Sequence, residues 1–214
     1  MSIPPEIKLL QEKVREDLPG LHVQLEMAPV TRLSFKKPEE TKKAGVLILL
    51  YPKNNIYYLV FIQRPTYNGA HSGQISFPGG QFEEADDNLI KTALRESYEE
   101  IGICTEDVKV LGSLSPLYIP VSNFEVKPVV GYLSYTPKFK ADPIEVNHII
   151  ELPLYEVADI QNKDEVDMHI RGEVFRVPCF YPASYKIWGA TAMILSELIH
   201  VIRKAGLIEL LRQE

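Results

Sequence analysis

Two cysteines, Cys104 and Cys179, are all that the 214 residues contain, too few for a disulfide framework or a four-cysteine zinc site. Basic residues are in the minority. The 23 Lys and Arg face 29 Asp and Glu, a formal charge of −6, which argues against a generic electrostatic grip on nucleic acid. No apolar run approaches the ~18 residues of a membrane span. The N-terminus, with Glu6, Lys8, Glu12, Lys13, Arg15, Glu16 and Asp17, has no signal-peptide apolar stretch. A reduced, soluble, cytoplasmic protein is expected, with neither nucleic acid nor membrane as partner. Hydrophobic residues still make up 45% of the chain, enough for a sizeable core, so disorder throughout is excluded.

The order of elements reads as follows. Ile7, Leu10, Val14 and Leu18 fall at helical spacing after Pro4 and Pro5, and Gly20 is expected to end that helix. Residues 28–43, polar and carrying two Lys pairs, read as a linker, so the expected division is an N-terminal helix and arm over 1–43 and a main domain over 44–214. Two β-rich runs, Ala44–Tyr51 and Ile56–Gln63, flank Pro52-Lys53-Asn54-Asn55 as a hairpin. A loop over 64–74 leads to a short strand, Gln74–Phe77. A helix is expected over Asn88–Gly102, capped by Asp86 or Asp87. Strands follow over Val108–Tyr118, Phe124–Tyr135, His148–Leu152 and Glu173–Cys179, with a short helical stretch Leu154–Ile160. A largely apolar helix over Ile187–Ala205 closes the domain. Mixed order with more strand than helix points to an α+β fold, layered α/β/α.

The chemistry is concentrated in Gly80–Ile103. On a helix, Glu96, Glu99 and Glu100 lie on one side, while Ile90, Ala93, Leu94, Ser97 and Ile101 lie on another and supply the core contact. Three anions at this spacing repel unless a cation meets them. Arg95 stands four residues before Glu99 and can neutralise or orient it. Glu96 and Glu100 are the right donors for Mg²⁺ or Mn²⁺, hard ions that take oxygen ligands, and such pairs serve phosphoryl transfer. A solvated face is the commoner explanation of helix charges alone. Gly79 and Gly80 just upstream shift that balance, because they let a backbone carbonyl reach a metal and the chain approach a diphosphate.

The run Arg95-Glu96-Ser97-Tyr98-Glu99-Glu100-Ile101-Gly102-Ile103 resembles the second half of the Nudix hydrolase signature, G-x5-E-x7-R-E-U-x-E-E-x-G-U, with Ser97 in place of the bulky residue U. Asp86 stands where that signature has Glu, with one extra residue before Arg95, a lengthening similar to the coenzyme A pyrophosphatase branch. Arg64 to Gly80 is similar to that branch's R-[SA]-x3-R-x3-G-x3-F-P-G-G. Arg64, Gly73 and Phe77-Pro78-Gly79-Gly80 match, whereas Pro65 and Gly69 depart. Ile187-Trp188-Gly189-Ala190-Thr191-Ala192 looks like the branch's I-W-G-x-T-A segment, read here as a packing marker and not as catalytic residues.

The resemblance implies a Nudix fold, a mixed β-sheet sandwiched between α-helices, and a divalent metal, Mg²⁺ or Mn²⁺. It implies hydrolysis of a nucleoside diphosphate linked to another moiety, and for the branch, coenzyme A split to 3′,5′-ADP and 4′-phosphopantetheine. It assigns metal binding to Glu96 and Glu100, helped by Glu99 and the Gly80 carbonyl, with Arg95 holding Glu99. It makes Glu145, in the loop before His148, a candidate base or further ligand, and places Arg64, Phe77, Gly79 and Gly80 against the substrate. His71 and His148 are weaker bases, and both cysteines read as core thiols. Gly69 in place of the second Arg keeps ADP-ribose and dinucleotides as rival substrates. An idle nucleotide-binding module is a rival that the intact glutamates disfavour; metal storage lacks a Ca²⁺ cage. The N-terminal segment is left for packing or a homodimer.

Overall fold

The protein is described by a computed structural model over residues 3–16, 18–29, 37–66, 72–170 and 173–207. Its strands are β1 (Lys42–Lys53), β2 (Ile56–Gln63), β3 (Ile75–Ser76), β4 (Gly79–Gln81), β5 (Lys109–Ser113), β6 (Leu117–Ile119), β7 (Phe124–Tyr132), β8 (His148–Pro153), β9 (Lys163–Ile170), β10 (Glu173–Phe180) and β11 (Ile187–Trp188). The α-helices are α1 (Pro5–Lys13), α2 (Leu21–Gln24), α3 (Leu89–Ile101), α4 (Leu154–Val157) and α5 (Gly189–Lys204).

The main sheet runs β3-β2-β1-β7-β5, with β4 also on β1, β6 on β7 and β8 on β2. It is mixed, since β1 and β7 are parallel while β1 pairs antiparallel with β2 and β4. Twelve-residue β1 is long enough to serve both partners: Ala44–Val46 faces β4 and Leu50–Lys53 faces β2. Its apolar run does not alternate because both faces are covered. Leu47, Leu49 and Tyr51 pack with Ala93, Leu94 and Ile101 of α3, whereas Ile48 and Leu50 pack with Ile194, Leu198 and Ile202 of α5. This is the α/β/α layering expected for the fold class. Asn54 and Asn55, at φ 53° and 61°, form the two-residue turn of the hairpin, the left-handed pair that suits strand twist.

Several local expectations change. Gly20 does not end α1, which stops at Lys13. It precedes α2, where its N–H donates to Oε1 of the fully buried Glu197. Residues Ile7, Leu10 and Val14 lie in the same core cluster as α5, so the N-terminal helix shares the main core. Val108–Tyr118 is two strands, β5 and β6, both paired with β7. The C-terminal helix starts at Gly189, because Ile187 and Trp188 pair with β10 instead. Strand β9 had no counterpart in the sequence reading, although Val166, Met168 and Ile170 alternate with charged neighbours. Part of the expected linker, residues 30–36, lies outside the described residues, as do Gly69 and His71. Among the described residues no helix is long and apolar enough to cross a membrane.

Candidate active site

Helix α3 is built by local signals. The Asn88 side chain accepts from the N–H groups of Ile90 and Lys91, and Gly102 closes the helix in the left-handed region at φ 69°. Asn88, not Asp86 or Asp87, is therefore the cap. Asp86 is drawn inward because Arg95 needs a buried partner. Nε and Nη2 of Arg95 donate to the two Asp86 oxygens at 2.9 and 3.0 Å. The same guanidinium reaches Gln81 O at 3.1 Å, Glu96 Oε1 at 3.0 Å and Glu99 Oε2 at 2.9 Å. Arg95 thus ties the loop after β4 to the carboxylate helix, well beyond the single Glu99 contact its spacing suggested. These hydrogen bonds hold the Asp86 carboxyl down at about 2.

The three glutamates occupy different environments. Glu99 is exposed (side chain 49%) and answers only to Arg95 among the described residues. Glu100 is 2% exposed, and its Oε2 accepts the Gly79 N–H at 2.8 Å. Arg64 of the preceding loop stands 3.9 Å from Glu100 Oε1. Burial pushes Glu100 up to about 8, against the pull of Gly79 and Arg64, and the charges of Glu96 and Glu145 push the same way. Glu96 is raised chiefly by burial, then by Glu99 and Glu145, while Arg95 lowers it. Glu145, exposed and sixty-odd residues away in sequence order from Gly80, is thus brought within electrostatic reach of both. Its loop is set by Asp142, whose side chain accepts from the N–H groups of Ile144 and Glu145. His148 lies on β8; Cys179 is buried as a core thiol, whereas Cys104 is exposed just after α3 and is not one.

The glycines define the approach. A methyl on Gly79 would stand 2.3 Å from Gly45 O and 2.5 Å from Val46 Cα, at φ +145°. On Gly80 it would stand 2.4 Å from the Glu96 carboxylate. These obstacles differ in kind, backbone in one case and the tip of a flexible side chain in the other. Gly79→Ala is therefore expected to destabilise by about 3 kcal/mol. Gly80→Ala should keep the fold but displace Glu96, lowering turnover by roughly 10²-fold. Urea denaturation beside a rate assay separates them; equal losses of stability would overturn the distinction.

Arg64, Phe77, Gly79 and Gly80 all line one cavity of about 300 Å³, which continues to Ala190, Thr191 and Ile194 at the start of α5. The apolar helix start read as a packing marker is thus also cavity wall. That was not visible locally, since α5 meets β3, through the Thr191 hydroxyl on Ile75 O, only in the fold.

The family model described as the NUDIX domain matches residues 41–172. A protein of Salmonella dublin, described as the uncharacterized Nudix hydrolase NudL, is 37% identical over 175 residues, covering 79% of this chain and 90% of that one. The chain belongs to the Nudix family. A NudL of Klebsiella pneumoniae (strain 342) is 39% identical over 140 residues, 65% of this chain and 72% of that one. Among solved structures, the M. smegmatis Nudix hydrolase RenU superposes with a TM-score of 0.54 at 14% identity, covering 77% of this chain and 87% of RenU, a likeness of fold. Nudix-type hydrolysis of a phosphoanhydride-containing nucleotide is the activity of this family, whose members often use divalent metals.

Among the described residues no three acidic, His or Cys side chains stand as a ready-made cage for an ion. Glu96 is engaged by Arg95 and Glu100 by the Gly79 N–H. The donor set nevertheless fits a hard dication in kind and charge. The residues are oxygen donors, and Glu96 and Glu100 are both raised by burial and by neighbouring carboxylates, Glu99 and Glu145 on Glu96 and Glu96 and Glu145 on Glu100. Arg95 pulls against this on the first, and the Gly79 N–H and Arg64 on the second.

Proposed function

We propose that this Nudix protein is a metal-dependent diphosphatase acting on coenzyme A or its derivatives, releasing 3′,5′-ADP and 4′-phosphopantetheine. The observation that carries the reading is the pair of half-buried Glu96 and buried Glu100, whose charges repel, beside Arg64 at the edge of a cavity walled by Phe77, Gly79 and Gly80. The similarity of Arg64–Gly80 and Ile187–Ala192 to the coenzyme A pyrophosphatase pattern supports the substrate.

Glu96 and Glu100, with Glu99 and the Gly80 carbonyl, would hold Mg²⁺ or Mn²⁺. Bound there, the ion supplies charge neutralisation on the phosphate oxygens and acidifies an attacking water. Arg64 binds and orients the diphosphate, since a guanidinium presents two parallel donors to phosphate oxygens. Arg95 positions the helix carboxylates through its shared hydrogen bonds. Glu145 accepts the proton of the attacking water, a role suited to an exposed carboxylate whose field already reaches Glu96 and Glu100. The cytoplasm is the proposed compartment, and residues 44–214 the catalytic domain.

The test is hydrolysis of coenzyme A with Mg²⁺ or Mn²⁺, products identified by mass, alongside ADP-ribose and NADH. Release of 3′,5′-ADP supports the reading. Turnover of ADP-ribose or NADH alone would move the substrate to the dinucleotide class while keeping the residue roles. No turnover on any of them would favour an idle nucleotide-binding module.

A further inference from the structure

Among the described residues, three buried side-chain polar atoms have no hydrogen-bond partner: Gln24 Oε1, Ser76 Oγ and Ser122 Oγ. Both serines line the same cavity. Ser76 comes from β3 and Ser122 from the turn between β6 and β7, so two separate elements each bring a serine with an unmet hydroxyl to the wall of one space, where rotation about the Cα–Cβ bond can turn the hydroxyl inward. Buried hydroxyls without partners are costly and rare, and those in a cavity are met when a ligand enters. The neighbouring Thr191 is different, because its hydroxyl already donates to Ile75 O at 2.9 Å.

The remaining wall narrows the ligand. Val46, Ile119, Val126, Ala190 and Ile194, with the rings of Phe77 and Phe124, make it largely apolar, and Arg64 is its one charged side chain among the described residues. Arg64 stands at the Glu100 end and serves the diphosphate in the reading above. The cavity therefore receives one of the two moieties that flank the diphosphate, and an uncharged moiety matches the described wall best. The nucleoside half of coenzyme A carries a further phosphate on its ribose, for which the wall offers no second cation among the described residues. The other half is a neutral chain with a dimethyl-bearing carbon, methylenes, a hydroxyl and two amides. Its aliphatic segments match the walls, and its amides match hydroxyls that can each donate and accept.

Resting on the coenzyme A reading, we infer that this cavity seats the amide-bearing aliphatic arm of the substrate, and that Ser76 and Ser122 are its specificity-determining residues. The nucleoside half then lies outside the cavity.

The two product halves test this separately. Titration calorimetry with 4′-phosphopantetheine and with adenosine 3′,5′-bisphosphate, in Mg²⁺, is run on the wild type and on Ser76→Ala with Ser122→Ala combined. The double variant is expected to bind 4′-phosphopantetheine at least tenfold more weakly and the bisphosphate within twofold of wild type. Its melting temperature should not fall, since neither hydroxyl loses a protein partner. Ala190→Leu, which fills the cavity without touching either hydroxyl, should produce the same pattern and covers the case of a double variant that folds poorly. Weakened bisphosphate binding with the arm unaffected would overturn the inference, as would no change in either or a wild type that does not bind 4′-phosphopantetheine. Coenzyme A hydrolysis in the wild type alongside any of those results would leave the proposed reaction standing; its absence would remove the reaction itself.

Discussion

Glu100→Gln is expected to lower nucleotide hydrolysis by on the order of a thousandfold while making the metal-free protein more stable. The two effects come from one cause. The glutamine is nearly isosteric, and its carbonyl can still accept the Gly79 N–H that Glu100 Oε2 holds at 2.8 Å. It removes a carboxylate that burial, followed by the charges of Glu96 and Glu145, pushes up to about 8. A folded-state value above the unfolded one means that stability is fully present below the unfolded carboxylate pKa of about 4.5. It is lost as pH rises toward 8, by about 4 kcal/mol over that window. In chelator the variant should therefore melt with the wild type at pH 4.5 and well above it at pH 8. Adding Mg²⁺ or Mn²⁺ should raise the wild-type melting temperature at pH 8 and leave the variant unmoved. Thermal unfolding at the two pH values, with and without metal, checks each arm. A variant that stays near wild-type activity would sink the assignment of Glu100.

Arg95→Ala is expected to cost about 3–5 kcal/mol, the penalty for leaving a buried carboxylate without its cation. The stranded group is Asp86, whose side chain is 5% exposed and which holds both Nε and Nη2 of Arg95. Glu83 N–H and the Thr92 hydroxyl also donate to Asp86, but neither carries charge. Adding Asp86→Asn to Arg95→Ala should recover more than half of the loss, because no buried charge then remains. The pH dependence has the opposite sign to that of Glu100. Asp86 is held at about 2, below its unfolded value, so its contribution of about 2 kcal/mol is present above pH ~4 and lost as pH falls through 2. Urea titrations of the wild type, the single and the double variant at pH 7 and pH 3 measure all of this. A double variant as unstable as the sum of the singles would show that the pair does not act together.

Both predictions concern α3, where reading the chain went furthest. Four-residue spacing put Arg95 beside Glu99, and the observed 2.9 Å contact follows from helix geometry alone. Apolar spacing likewise put Ala93, Leu94, Ser97 and Ile101 on the buried face. The misses were local competitions or distant contacts. Asn88 outcompeted two nearby aspartates for the cap because Asp86 was already claimed from nine residues away. Gly20 carries a local stop signal, but its N–H partner, Glu197, lies at the far end of the chain. Strand β9 is polar at every second position and, among the described residues, pairs only with β10, so its short alternation of Val166, Met168 and Ile170 carries a weak strand signal.

What residue order alone determined was whatever depends on neighbours within a turn or two: the carboxylate helix, the Asn54-Asn55 hairpin, the Gly79-Gly80 approach and the family that these motifs mark. Backbone sterics and helical periodicity act over a few residues and leave their trace in the chain. Tertiary structure alone decided that Glu100 is buried while Glu99 is exposed. It also brought Glu145 within the field of the helix glutamates, and set two serines with unpaired hydroxyls on the wall of one apolar cavity. Burial and long-range electrostatics depend on which distant segments arrive at the same place, and periodicity carries no record of that meeting.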